Sequence, residues 1–208
     1  MITITTILSG RSGFEALKRN LVSLEPDWKI GVDILCVVTD KSLFVECRNF
    51  LNENVDKGEC LVFYDKDATL KSVGEYLGSR NPLVFILAEN VILPIGGLSK
   101  LYRNYLEYPD AGFVTGECKD YPVVRWVRDI YGAPQYIYSN EKTEYDLFTK
   151  IDVCPVLGIL TKTHLYKELF CLDNLEGYGS YSYGIRLRRQ GYQNYINTGV
   201  EYKHGGKK

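Results

Sequence analysis

The chain has 208 residues, of which 45% are apolar and 25% charged, with a formal net charge of -1. That length supports one well-buried core, and the near-neutral balance supplies no broad field for duplex nucleic acid. No apolar run approaches a membrane span, and the opening "MITITTIL" is too short and too alternating for a signal peptide.

"ITITTIL" reads as a strand. "GRSGFEALKRNLVSL" follows with a glycine turn, Ser12 as an N-cap, and Phe14, Leu17, Leu21 and Leu24 at helical spacing. "VDILCVVTD" is a second buried strand ending at Asp40, "SLFVECRNFLNEN" an amphipathic helix, and "ECLVFYD" a third strand. "LKSVGEYLGSR" gives a helix that passes through Asn81-Pro82 into the apolar run "FILAENVILP". Strands and helices alternating at this spacing imply a mainly parallel sheet with right-handed crossovers, whose ligands bind beyond the carboxyl ends of the strands. The polar ends Ser9, Gly10, Arg11, Asp40, residues 65–71, Glu89 and Asn90 are expected to converge on one crevice.

After Pro94, "GGLSKLYRNYLEYPD" reads as a helix and "AGFVTGE" as a strand. Residues 118–150 have no clear period and carry Trp126 and five tyrosines, which suits a substrate-facing excursion with a hairpin. "IDVCPVLGILTKTHLYKEL" gives a strand and a helix, and the remainder a further helix, a short strand and a Gly/Lys-rich tail. Six scattered cysteines without a CxxC pair read as reduced thiols and suit a cytoplasmic location. Seventeen tyrosines are compatible with a stacking surface for sugar or base and with compositional drift. No repeat or linker divides the chain, so it reads as one domain, 1–208.

The order of these pieces resembles the GT-A fold glycosyltransferases, in particular the large family that includes cellulose and chitin synthases. The resemblance is carried by "VFILAENVILPIGGLSKLYRNYLEYPDAGFVTGE", by "IDVCPVLGIL" and by "IRLRRQGYQNYINTGVEYKHGG". It implies an α/β, Rossmann-like, mixed and mainly parallel sheet flanked by helices. Residues 1–93 would form a nucleotide-binding half and 94–208 an acceptor-side half. The implied activity is transfer of a sugar from a nucleotide-sugar donor, most naturally a UDP-sugar, to an unknown hydroxyl acceptor on a glycan, protein or modified base. The small size and eroded motifs are similar to minimal transferases encoded by viruses. The resemblance assigns nucleotide contacts to Leu8, Ser9, Gly10, Arg11, Asp40 and Lys71, with Trp126 on the acceptor side. As bare residues, Ser9 to Arg11 are equally a strand-to-helix turn, Asp40 a helix cap, Lys71 a solvated lysine and Trp126 a core plug.

Two departures stand out. Where the family carries Asp-x-Asp for a divalent cation, this chain has Ala88, Glu89 and Asn90. Either Glu89, Asn90 and the family-positioned His204 hold Mn²⁺ or Mg²⁺ weakly, or Arg11, Lys203, Lys207 and Lys208 neutralise the diphosphate in its place. Where inverting members carry a Glu-Asp pair, this chain has Gly179 and Ser180, and the nearest carboxylates are Asp173 and Glu176. The sequence therefore leaves open an inverting, a retaining and an inactive protein that binds nucleotide or glycan without turnover. A nucleotidyltransferase on a similar sheet is the least favoured reading, because "LSGRSGF" is short and lacks the lysine expected of a loop that cradles a triphosphate.

Overall fold

In chain order the elements are β1 (Ile2–Leu8), α1 (Arg11–Leu24), a 3-10 helix (Glu25–Ile30), β2 (Val32–Val38), α2 (Lys41–Asn54), β3 (Cys60–Tyr64), α3 (Leu70–Tyr76), β4 (Leu83–Leu87) and β5 (Val91–Ile92). Then come α4 (Gly97–Glu107), β6 (Ala111–Glu117), β7 (Val124–Ile130), β8 (Ala133–Tyr138), β9 (Phe148–Ile151), β10 (Gly158–Lys162), α5 (Thr163–Leu165) running into a π turn (Tyr166–Phe170), α6 (Gly179–Arg189), β11 (Gln193–Glu201) and β12 (Lys203–His204). This computed structural model describes residues 1–78, 81–118, 124–130, 133–138, 148–151, 157–170 and 179–205; for 124–130, 133–138, 148–149, 169–170 and 179–182 it describes the backbone.

The main sheet has eight strands in the order β3-β2-β1-β4-β10-β6-β11-β9. β1 lies parallel between β2 and β4, with Ile2 opposite both Val32 and Leu83. β10 runs antiparallel between β4 and β6, and β9 closes the far edge antiparallel to β11. The expected mainly parallel α/β sheet is therefore present, and strands from 1–93 and from 94–208 share it. β7 and β8 form a separate antiparallel ribbon, the hairpin expected within 118–150, while β9, at the end of that stretch, belongs to the main sheet.

Alternation along the strands sorts side chains onto two faces. On one face Ile34, Cys36 and Val38 of β2 meet Phe14, Leu17 and Leu21 of α1 and Leu43, Cys47 and Leu51 of α2, while Ile4, Phe85 and Leu87 pack with Leu98, Leu101 and Tyr105 of α4. On the other, Leu35, Val37, Val84, Ile86 and Phe113 pack against Val73, Tyr166, Tyr183 and Leu187. Both faces are thus covered, which is why β2 and β4 read as continuous apolar runs.

Helix starts differ from the local expectation. Ser12 lies inside α1, and the N-cap is Gly10, which provides no side-chain cap; α4 likewise begins after a glycine, Gly96, at φ 68°. Both helices take carboxylates from elsewhere in the chain: Ser99 N donates to Asp27 Oδ1 at 3.1 Å at the head of α4, and Glu89 serves α1. Cys36 and Cys47 are buried with their sulfurs 3.7 Å apart, and burial pushes the Cys60 thiol up to about 11. Among the described residues, no helix is long and apolar enough to cross a membrane.

Candidate functional site

From β1 the chain builds β2 and β3 to one side, then returns to place β4 on the other side of β1. The connections leaving β1 and β4 diverge there, and α/β sheets bind ligands at such a switch point, outside the carboxyl ends. Ser9 and Gly10 follow β1, Asp40 follows β2, and Glu89 and Asn90 follow β4.

The carboxylate of Glu89 closes this crevice. Its Oε1 accepts from Ser9 N at 2.7 Å and Gly10 N at 3.0 Å, and its Oε2 accepts from Ser9 Oγ at 2.6 Å. Alternation had pointed Glu89 away from the face of residues 88 and 90, but β4 ends at Leu87 and a turn re-aims it, with Val91 N bonding back to Ala88 O at 3.1 Å. A carboxylate at the head of a helix is stabilised both by charge-assisted hydrogen bonds and by the helix dipole. Gly13 makes room for it: a Cβ there would lie 2.1 Å from Glu89 Cγ and 2.3 Å from Oε1.

Asn20 completes the seating, and the sequence reading missed it. Buried on the apolar face of α1, it donates from Nδ2 to Val91 O and accepts at Oδ1 from Leu93 N, both at 2.8 Å. The clue was an asparagine one residue from Leu21 on a core-facing stripe, because a buried amide needs partners.

The C-terminal tail does reach the turn after β4. His204 pairs with Val91 in the β12–β5 ladder, and Gly205 N donates to Asn90 O at 2.6 Å. Both Glu89 oxygens accept hydrogen bonds from the first loop, Ala88 has no ligand atom, and no group of three His, Cys, Asp or Glu side chains gathers among the described residues. Exposed Lys203 lies opposite Ile92. Lys207 and Lys208 lie outside the described residues, as do Asp173 and Glu176.

The other candidates are held as follows. Leu8 is buried, so its contribution at the crevice is backbone, its carbonyl accepting from Thr39 N at 2.9 Å. Arg11 pairs with Glu46 of α2 at 2.5 Å, and that bond and charge raise its already high pKa. Asp40 caps α2: its Oδ1 accepts from Ser42 N at 2.8 Å and Ser42 Oγ at 2.7 Å, and these bonds hold its carboxyl below the usual aspartate value. Both Ser42 bonds go to Oδ1 and leave Oδ2 to other partners. Lys71 is exposed in the first turn of α3, behind a Thr69–Ser72 capping box. Trp126 stands opposite Ile137 in the β7–β8 ribbon, and its side chain lies outside the described residues.

No family model matches the chain, and no curated protein matches it in sequence. Solved structures do match its shape. The inositol-1-phosphate CTP transferase from T. maritima superposes with a TM-score of 0.59 at 10% identity, covering 97% of this chain and 88% of that one. HddC from Yersinia pseudotuberculosis gives 0.57 at 9%, covering 98% and 93%. The 4-diphosphocytidyl-2C-methyl-D-erythritol synthase from Anaerococcus prevotii gives 0.61 at 10%, covering 100% and 89%. These matches overturn the expected sugar transfer from a UDP-sugar to a hydroxyl acceptor: the two whose names give an activity are a CTP transferase and a diphosphocytidyl-methylerythritol synthase, the class that the short first loop had argued against. At such identities the likeness speaks for the fold alone, and the chain shares with these proteins a Rossmann-like α/β fold with a mixed, mainly parallel eight-stranded sheet.

Proposed function

We propose that the chain is a nucleotidyltransferase that binds a nucleoside triphosphate in the crevice beyond β1, β2 and β4. The observation that carries this reading is the switch point itself, where backbone donors of Ser9 and Gly10 meet the ends of β2 and β4 in a fold shared over the full chain with nucleotidyl-transferring enzymes. Residues 1–93 hold the nucleotide and 94–208 the acceptor. Asp40 Oδ2 accepts a ribose hydroxyl, and Arg11 offsets phosphate charge. Transfer forms a bond from an acceptor oxygen to the α-phosphorus and breaks the bond to the oxygen bridging to the β-phosphate, which leaves as pyrophosphate. A phosphomonoester acceptor suits this site, because its oxygen is already largely deprotonated at neutral pH and the step then needs no general base.

The test is calorimetric titration with CTP, UTP, ATP and GTP, in Mg²⁺ and in EDTA, followed by pyrophosphate release with a panel of sugar and polyol phosphates. Binding of at least one triphosphate, weakened by Asp40→Ala, is expected. Failure of all four to bind overturns the reading. One observation favours a second reading, nucleotide binding without transfer: the Glu89 carboxylate already occupies the loop donors that a phosphate would use. That reading predicts binding with no pyrophosphate released.

A further inference from the structure

At the opposite, amino edge of the sheet lies a cavity of about 650 Å³. Its lining includes Tyr102, Tyr105 and Leu106 of α4, Leu83 at the start of β4, Lys162 at the end of β10 and Lys167 beyond it. The walls are predominantly apolar, and Leu106 is 61% exposed beside them. The volume falls within the range of small-molecule sites, which combine an apolar lining with a few convergent polar groups.

The charges around it are one-sided. Lys167 Nζ donates to Gly78 O at 2.5 Å, and Lys162 Nζ lies 3.5 Å from Pro109 O and 5.5 Å from the Tyr192 ring centroid. These are neutral partners. Each ammonium has three hydrogens, so both lysines keep donors for a ligand, and carbonyl oxygens leave their charge uncompensated. No carboxylate lines the cavity among the described residues. An apolar concavity rimmed by two such cations complements a molecule that pairs an apolar body with a single anionic head.

We propose that this cavity binds a small amphipathic organic anion, its apolar body between α4 and β4 and its head group between Lys162 and Lys167. The site is separate from the nucleotide crevice and does not depend on it, since it lies at the other end of the same strands.

The experiment is calorimetric titration of the full chain with sodium decanoate, decanol and sodium acetate. Decanoate is expected to bind with one-to-one stoichiometry, decanol at least tenfold more weakly, and acetate not measurably. The double variant Lys162→Gln/Lys167→Gln is expected to weaken decanoate at least tenfold and leave decanol unchanged. Leu106→Asp, at an exposed position where folding is not at stake, is expected to weaken decanoate by a similar factor through repulsion at the rim. Equal affinity for decanoate and decanol, wild-type decanoate affinity in the lysine double variant or in Leu106→Asp, or competition by CTP would each overturn the proposal.

Discussion

The two ends of the central strands are prepared for anions in opposite ways. At the carboxyl edge, the Ser9 and Gly10 donors are already satisfied by the chain's own Glu89 carboxylate. At the amino edge, Lys162 and Lys167 rim an open cavity without a carboxylate among the described residues. A phosphate entering at the carboxyl edge must first displace an internal anion, so its observed affinity is the difference between two sets of charge-assisted hydrogen bonds. An anion entering at the amino edge meets no such carboxylate among the described residues. The difference teaches that the place where a fold binds ligands and the readiness of that place to bind are set by different residues: the first by strand order, the second by one side chain.

The comparison can be broken most severely through Asn20, which holds the segment after β4 in place. Asn20→Ala leaves the buried Val91 carbonyl and Leu93 amide without partners, and a loss of about 2–4 kcal/mol in urea unfolding is expected. A loss below about 1 kcal/mol would show that the turn presenting Glu89 is not anchored there.

Gly13→Ala sharpens the comparison. Alanine adds about 0.5–1 kcal/mol of helix propensity, yet its Cβ overlaps the Glu89 side chain and drives the carboxylate off the loop. A net loss of about 1–2 kcal/mol is expected, together with tighter inorganic phosphate binding by calorimetry. A variant more stable than the parent would mean that Glu89 shifts without releasing Ser9 and Gly10.

Glu89→Gln keeps the size of the side chain but removes its charge. A stability change of about 1 kcal/mol is expected, because the loop donors are partly exposed and water replaces what is lost. Phosphate affinity at the carboxyl edge should rise about tenfold, while decanoate binding at the amino edge stays as it was. An unchanged phosphate affinity would remove Glu89 as the occupant that matters.

The smallest effect belongs to Asp40, a control within the crevice. The folded carboxyl has a lowered pKa, so its cap contributes above the unfolded value and is lost as pH falls through the folded one. The Tm difference between the parent and Asp40→Ala should therefore be present near neutral pH and narrow toward strongly acidic pH. A difference independent of pH would show that charge plays no part in the cap.

Much of the fold was legible because it is written locally. The apolar runs of β1, β2 and β4 and the stripe of Phe14, Leu17, Leu21 and Leu24 announce a βα succession, and Asp40 capped the helix that its position before "KSLF" foretold. Strand direction is not encoded in periodicity, so nothing in "GILTK" revealed that β10 would run antiparallel into the middle of the sheet. The caps of α1 and α4 were hidden for a related reason: Glu89 and Asp27 lie about seventy to eighty residues from the amides they serve. The same succession of elements was read as sugar transfer, while the solved structures of matching shape include a CTP transferase, so element order alone did not distinguish the chemistry.

The position of β10 bears on how the protein assembles on the ribosome. β1 to β4 emerge first and pair with one another through short crossovers, but one side of β4, the run "LVFIL", stays unpaired until Gly158–Lys162 has been synthesised. A nascent chain of this length therefore exposes a fully apolar strand edge, the kind of surface on which chains pair with each other and aggregate. Truncations ending between β4 and β10 should be retained by chaperones or precipitate, and yield of the full chain should fall when translation outpaces that protection.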